Sequence, residues 1–389
     1  MKLLLASTSF PLKPGDNLSP FVYDFCRQLE KRGWEITVVV PHHKGAALEE
    51  SWGSIRIKRF KYLPEPMEDL GYSGGIMPGV KKVPWKLLKL PFYIYAMYRE
   101  VLNAAKSSNY DLINFHWLFP ASFWLKRLQK KCGIPVVLTG HGTDVRLACK
   151  SPFEKFAVKA FSIASALTLN SQYMLSLLDQ RKLPGQIGII PMGVDTELFT
   201  PGDNKPSDSN EILYIGRLIT QKGIDILINA FIKTQSEIPD ARLKIIGYGP
   251  EEASIRDIIE VNNVSDKVEF IKSVPHGKLV EHYQNARVLV LPSVIPEGFG
   301  MTPVEAGACG VPTLTFGLGG TAEIIIDGET GIISEKDTDN LAQQMIRIMN
   351  DDNLADQMGN AARNRVLDNF GWDVIGERFD DLFRNIIKK

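Results

Sequence analysis

Two acids bracket a glycine turn at 296–305, where the chain reads Pro-Glu-Gly-Phe-Gly-Met-Thr-Pro-Val-Glu. Gly298 and Gly300 let the backbone come close to a ligand, and Thr302 followed by Pro303 reads as the start of a helix. The unpaired amides of such a first turn form a positive pole that suits phosphate. Glu297 and Glu305 beside that pole suit hydroxyls, so the run points to a ligand with both a diphosphate and a sugar. A second run, Gly-Arg-Leu-Ile-Thr-Gln-Lys-Gly at 216–223, supplies cations. The fork of Arg217 matches phosphate oxygens, and Lys222 adds a compact charge. Two of the six histidines, His116 and His141, each follow an apolar run and are candidates for a role at a ligand.

Plainer readings stand beside these. Thr302 and Glu305 fit the spacing of a capping box, in which the glutamate bonds back to the helix start. Glu297 could be an exposed turn residue, and Arg217 and Lys222 could be solvated loop cations. Asp144, in Thr-Gly-His-Gly-Thr-Asp at 139–144, and Ser171 read first as helix caps. The turn Gly-Leu-Gly-Gly-Thr-Ala-Glu at 317–323 could simply reverse the chain.

The elements that must position these residues alternate from end to end. Short apolar runs at 2–7, 36–40, 112–115, 136–139 and 167–169 read as strands, and so do 212–215, 243–246, 268–271, 288–291 and 313–315. Amphipathic stretches lie between them; Ile224, Leu227, Ile228 and Phe231 share one helix face. That rhythm predicts parallel sheets covered by helices on both sides. In such folds ligands sit beyond the carboxyl ends of the strands, and nearly every unusual cluster here directly follows a strand.

At 389 residues the chain is long enough for two domains. The breaker-rich run 201–210 predicts the boundary, with an N-terminal domain over 1–200 and a C-terminal domain over 201–370. Its 45 basic and 45 acidic residues cancel, which argues against nucleic acid as the main partner. Cys26, Cys132, Cys149 and Cys309 have neither disulfide-framework nor metal-ligand spacing, so a reduced compartment is expected. With no signal sequence and no membrane-length apolar run, the expected location is the cytoplasm.

The ordered set of motifs resembles the family 4, or group 1, glycosyltransferases, which are retaining and have the GT-B fold. The likeness runs from 139–144 through Pro-Met-Gly-Val-Asp at 191–195, Phe199 and Pro201, then Gly216, Arg217, Leu218, Lys222 and Gly223. It continues with Ile-Gly-Tyr-Gly-Pro at 246–250, Glu297 and Glu305 with seven residues between them, Gly319, Gly320 and Glu323, and Phe-Gly-Trp at 370–372. The resemblance implies an α/β protein with two Rossmann-like domains facing across a cleft, and a terminal helix over 371–389 crossing back to the N-terminal domain. It implies a nucleoside-diphosphate sugar as donor, Arg217 and Lys222 on the diphosphate, and Glu305 on the ribose. Glu297 and His116 would meet the transferred sugar, with Gly15, Gly216 and the amides near Phe299, Gly300 and Met301 on the donor side. His141, Asp16 and Asp144 would lie on the acceptor side.

Two departures from the family pattern matter. Asp16 stands where a second glycine is usual, and an anion is repelled by a diphosphate, so Asp16 is assigned to acceptor hydroxyls. Met192 stands where asparagine is common. No cofactor and no metal are expected, since the two cations can neutralise the leaving group. A nucleotide-sugar epimerase and a non-catalytic sugar-nucleotide binder remain alternatives. The acceptor is expected to be a saccharide or a lipid-linked one. Residues 80–98 mix Lys81, Lys82, Lys86 and Lys89 with aromatic and aliphatic side chains. Such a run could rest peripherally on an anionic membrane or simply lead into a core helix.

Overall fold

A computed structural model describes residues 1–16, 19–71 and 83–388. Asn17 and the start of the basic run (Val80, Lys81, Lys82) lie outside the described residues. The chain divides into two compact units, 1–191 with 375–389, and 192–374.

The first unit is built on an eight-stranded sheet. Its strands are β1 (Lys2–Ser7), β2 (Glu35–Pro41), β3 (Glu49–Trp52), β4 (Ile55–Phe60), β5 (Leu112–His116), β6 (Val136–Gly140), β7 (Ala166–Leu169) and β8 (Ile187–Ile189). They run in the order β3-β4-β2-β1-β5-β6-β7-β8. All pairings are parallel except the edge pair β3–β4. Central strands are buried on both faces, which is why β1 and β5 read as continuous apolar runs. Helices Leu90–Ser107, Leu125–Cys132 and Phe153–Phe161 share one core on one face of the sheet. Right-handed crossovers that step the same way along a sheet put their helices on the same side. Helix Pro20–Lys31 meets the C-terminal helix, Trp372–Ile387, through Phe25 and Phe379, whose ring centroids are 4.8 Å apart.

The second unit carries six strands, β9 (Glu211–Ile215), β10 (Arg242–Ile246), β11 (Val268–Ile271), β12 (Val288–Leu291), β13 (Thr313–Thr315) and β14 (Gly331–Ile333). Their order is β11-β10-β9-β12-β13-β14, parallel throughout. Helix Ile224–Glu237 buries Ile224, Leu227, Ile228 and Phe231, as their spacing predicts.

The ten predicted strands all form, within a residue at either end. Four others, β3, β4, β8 and β14, carry no clear signal in the sequence. The units divide at 191/192, ahead of the run 201–210, which lies inside the second unit. Its polar residues serve packing there. Ser207 donates from both its backbone N–H and its hydroxyl to Asp356, at 3.1 and 3.0 Å, and accepts from Arg287 Nη1 at 2.9 Å. Val194 pairs with Phe370 and Trp372 through two backbone hydrogen bonds, and Gly193 lies flat against the Trp372 ring. From Ile375 onward the C-terminal helix belongs to the first unit.

Candidate active site

In the second unit the loops after β9, β10, β12 and β13 share one sheet edge and interlock through backbone. Gly223 has φ +63°, and a Cβ there would lie 2.0 Å from the Pro292 carbonyl. Gly319 has φ +74°, and its Cβ would come within 2.4 Å of the Glu297 carbonyl. Only glycine combines positive φ with such close approach. Glu297 is further pinned by its N–H to Leu318 O (3.0 Å) and by Gly320 N–H to its own carbonyl (2.9 Å). The turn at 317–323 therefore holds an active-site candidate in place, beyond simply reversing the chain.

The Glu297 carboxylate accepts from Lys222 Nζ and Ser293 Oγ, both through Oε1. Its Oε2 has no partner among the described residues. Tyr214, on β9, donates its hydroxyl to the Arg217 carbonyl at 3.0 Å. Burial raises the Tyr214 pKa, the Glu297 carboxylate raises it further, and the Arg217 guanidinium opposes them. Both charges thus act on one hydroxyl. The Arg217 side chain is exposed and unpaired among the described residues, while Gly216 leads into it from β9.

Glu305 is buried, and not as a capping box would place it. The helix spans Met301–Ala308, its cap is Gly300 at φ +119°, and no side chain caps it. Gly300 turns the chain into the helix before Thr302, so Thr302 is a first-turn residue. Pro303 sits where a missing N–H costs nothing. The Glu305 carboxylate points elsewhere: His276 Nε2 lies 2.9 Å from Oε1, and Tyr283 donates to Oε2 at 2.8 Å. Phe199 flanks the His276 ring at 5.1 Å between centroids. Burial first, and then Glu305, raise the Tyr283 pKa. The same two causes push the Cys309 thiol up to about 12. The amides of Met301 and Thr302 start the helix uncapped, whereas the Phe299 ring is buried against Phe370 at 5.8 Å.

In the first unit His116 ends β5, beside Ser7 of β1 and Thr139 of β6. His116 Nδ1 and His141 Nε2 are 3.1 Å apart. Aromatic rings wall them in: Phe25 lies 4.8 Å from His116, and Trp117 lies 4.7 Å from His141. Burial, and then the neighbouring His141, hold the His116 pKa well below its usual value. Burial lowers that of His141 as well, with Asp144 opposing. The pair is therefore neutral at pH 7. His116 Nε2 and His141 Nδ1 are buried without a hydrogen-bond partner among the described residues. Trp117, next to His116, has φ +70°, a strained conformation for a tryptophan.

Asp144 does not cap its helix; Gly142 occupies that position. Its carboxylate accepts from the backbone N–H groups of His141 and Gly142 and, across the sheet edge, of Leu118, each at 2.9 Å. It fixes the loops that carry the two histidines. Ser171, by contrast, is a cap and accepts from Met174 N–H at 3.1 Å. Asp16 accepts from Leu12 N–H at 3.1 Å within the loop after β1, and Gly15 is exposed in that turn at φ +82°. Tyr283 and Ser293 escape sequence reasoning, since each is an ordinary polar residue until the fold sets it on a glutamate.

The region 195–365 matches the family described as glycosyl transferases group 1, and 19–198 matches Glycosyltransferase Family 4. An uncharacterized glycosyltransferase of Methanocaldococcus jannaschii is 31% identical over 74% of this chain and 79% of its own. The GDP-mannose-dependent alpha-(1-6)-phosphatidylinositol monomannoside mannosyltransferase of Mycolicibacterium smegmatis is 29% identical over 64% of this chain and 69% of its own. Among solved structures, the sucrose-phosphate synthase of Thermosynechococcus elongatus matches at a TM-score of 0.76 and 22% identity, covering 100% of both chains. The shared architecture is GT-B.

Proposed function

The chain belongs to the group 1, family 4 glycosyltransferases, and from that premise we propose that it moves a sugar from a nucleoside diphosphate to an acceptor hydroxyl. The observation that carries the reading is Glu297, paired with Lys222 on one oxygen and open on the other, beside the unpaired Arg217. Arg217 and Lys222 take the diphosphate. A cation about 4 Å from such an oxygen is worth roughly 4 kcal/mol at an effective dielectric of about 20, before desolvation. With that charge available the reaction runs without a metal. Glu297 accepts from a hydroxyl of the transferred sugar through Oε2, and Glu305 takes the ribose hydroxyls. Gly216 and the amides of Phe299, Gly300 and Met301 complete the donor side, with Gly15 in the loop after β1.

In the first unit His116 offers a neutral imidazole to the sugar, and His141 and Asp16 serve the acceptor. Asp144 acts as a positioning residue. The bond from the anomeric carbon to the diphosphate breaks as the acceptor oxygen bonds on the same face, and the departing phosphate oxygen takes the acceptor proton. The configuration is retained. We also propose a cytoplasmic, membrane-peripheral setting, with contact through 80–98 and a lipid-linked or saccharide acceptor. The mannosyltransferase relative, whose name carries phosphatidylinositol monomannoside, supports that class. All four cysteines are free, which supports a reducing compartment.

The test is NMR of the product formed from an anomerically defined donor, with and without EDTA. Retained configuration at an unchanged rate is expected. An inverted product, dependence on a divalent ion, or a new sugar nucleotide from donor alone would each overturn the corresponding part.

A further inference from the structure

On the outer side of the helix layer of the first unit lies a cavity of about 530 Å³ that the transfer chemistry does not use. It opens between helices Leu125–Cys132 and Phe153–Phe161, and Lys126, Arg127, Lys130, Lys131 and Lys159 line it. None of its lining residues is acidic, and none of these five cations carries an ion pair among the described residues. Glu154, on the second helix, is already taken by Lys182 at 2.9 Å. Five uncompensated cations around one cavity repel one another, which an anion relieves.

A second observation points the same way. Trp124 lines the cavity and is only 7% exposed, yet its indole N–H has no acceptor among the described residues. Its ring lies 5.5 Å from that of Tyr98, which is 8% exposed and whose hydroxyl is likewise unpartnered. Of the two, only Trp124 lines the cavity, and buried donors are nearly always satisfied, so its orphan N–H marks a place for an acceptor. Phe123 and Phe156 give the cavity an apolar wall.

The neighbouring helix identifies the source. Trp85, Leu87, Leu88, Phe92 and Tyr95, at and before the start of helix Leu90–Ser107, are exposed, with Leu88 at 75% and Tyr95 at 64%. That helix packs against Leu125–Cys132 in the same core. Exposed aromatic and aliphatic side chains next to clustered cations suit the interface of an anionic bilayer, where rings enter the headgroup layer and cations meet phosphate. We propose that this cavity binds the phosphate headgroup of an anionic membrane lipid while the 84–95 segment rests in the bilayer surface. This rests on the peripheral-membrane part of the reading above and adds the site that selects the lipid.

The experiment is co-flotation of the full chain with phosphatidylcholine vesicles, with and without phosphatidylglycerol. Wild type should float only with the anionic vesicles. Each cation at an anionic surface strengthens partitioning about fivefold, so Arg127→Gln with Lys130→Gln should weaken it about 25-fold. The matched Arg347→Gln with Lys267→Gln, two cations of the second unit, should leave it unchanged. Trp124→Phe, which keeps the ring and removes the N–H, should weaken binding about tenfold. Equal losses in the cavity and control variants, or none in either, would overturn the cavity assignment. Loss only with Trp85→Ser and Leu88→Ser would keep membrane contact and reject the cavity. Failure of wild type to float would reject both, and neither result bears on sugar transfer.

Discussion

A carboxylate that carries an ammonium on one oxygen keeps the other for a ligand, and Glu297 is in that state. Removing Lys222 takes away the partner that orients Glu297 and, on the proposed reading, a diphosphate contact, whereas removing Arg217 would take only the latter. Each alanine substitution should lower transfer by about 10²–10³-fold while thermal melts stay near wild type. Wild-type turnover in either variant would remove that residue from the chemistry. Glu305 already accepts from Tyr283 and lies against His276, so Glu305→Gln keeps the shape and loses the charge. Calorimetry should show nucleotide binding weakened about tenfold; an unchanged dissociation constant would make Glu305 a purely structural group. The histidine pair gives a pH signature. Both folded pKa values lie below the ordinary 6.5, so above that pH neither the folded nor the unfolded chain protonates them. As pH falls below 6.5 the unfolded chain binds protons that the buried pair refuses. Stability should then drop by up to about 1.4 kcal/mol per pH unit for each histidine. Denaturation midpoints at pH 7 and pH 5 should diverge in wild type and diverge less in His116→Gln, where only His141 still refuses the proton.

Strand ends and the loops and helix starts beyond them carry the site, and buried polar groups tie those loops down. Asp144 accepts three backbone N–H groups from two loops. Asp144→Ala should cost about 3 kcal/mol, a fall of about 6–12 °C in melting temperature for a unit of this size. An unshifted melt would mean that water replaces the carboxylate freely. This clamp also shows how far the sequence could be read. Fully buried parallel strands such as β1 and β12 announce themselves as unbroken apolar runs. β4 does not, because Arg56, Lys58 and Arg59 interrupt it; Arg59 is nonetheless buried, with its guanidinium on Glu50 and on Ala47 O. β8 and β14 are three residues long and contain glycine, too short for any period to register. Arg217, Lys222, Glu297 and Glu305 stood out because each lies beyond the end of a strand, in or just after a glycine-containing turn. Their supports, Ser293, His276 and Tyr283, come from separate loops and helices, so only the fold reveals the pairing.

At the scale of the whole chain, two units each close their own core around a sheet, parallel in the second unit and parallel but for one edge pair in the first. The polar run 201–210 misled as a boundary because breaker residues mark irregular backbone whether it links domains or packs within one. No described helix is long and apolar enough to cross a membrane. The second unit supplies every residue assigned to the diphosphate and ribose, which makes donor binding the claim on which the account turns. Titration calorimetry of the full chain with a panel of nucleoside-diphosphate sugars, for wild type and for Arg217→Ala with Lys222→Ala, tests it most directly. Wild type should bind at least one donor, and the double variant should bind it at least about 100-fold more weakly. Equal affinity in the two proteins would contradict the assignment of these cations to the diphosphate.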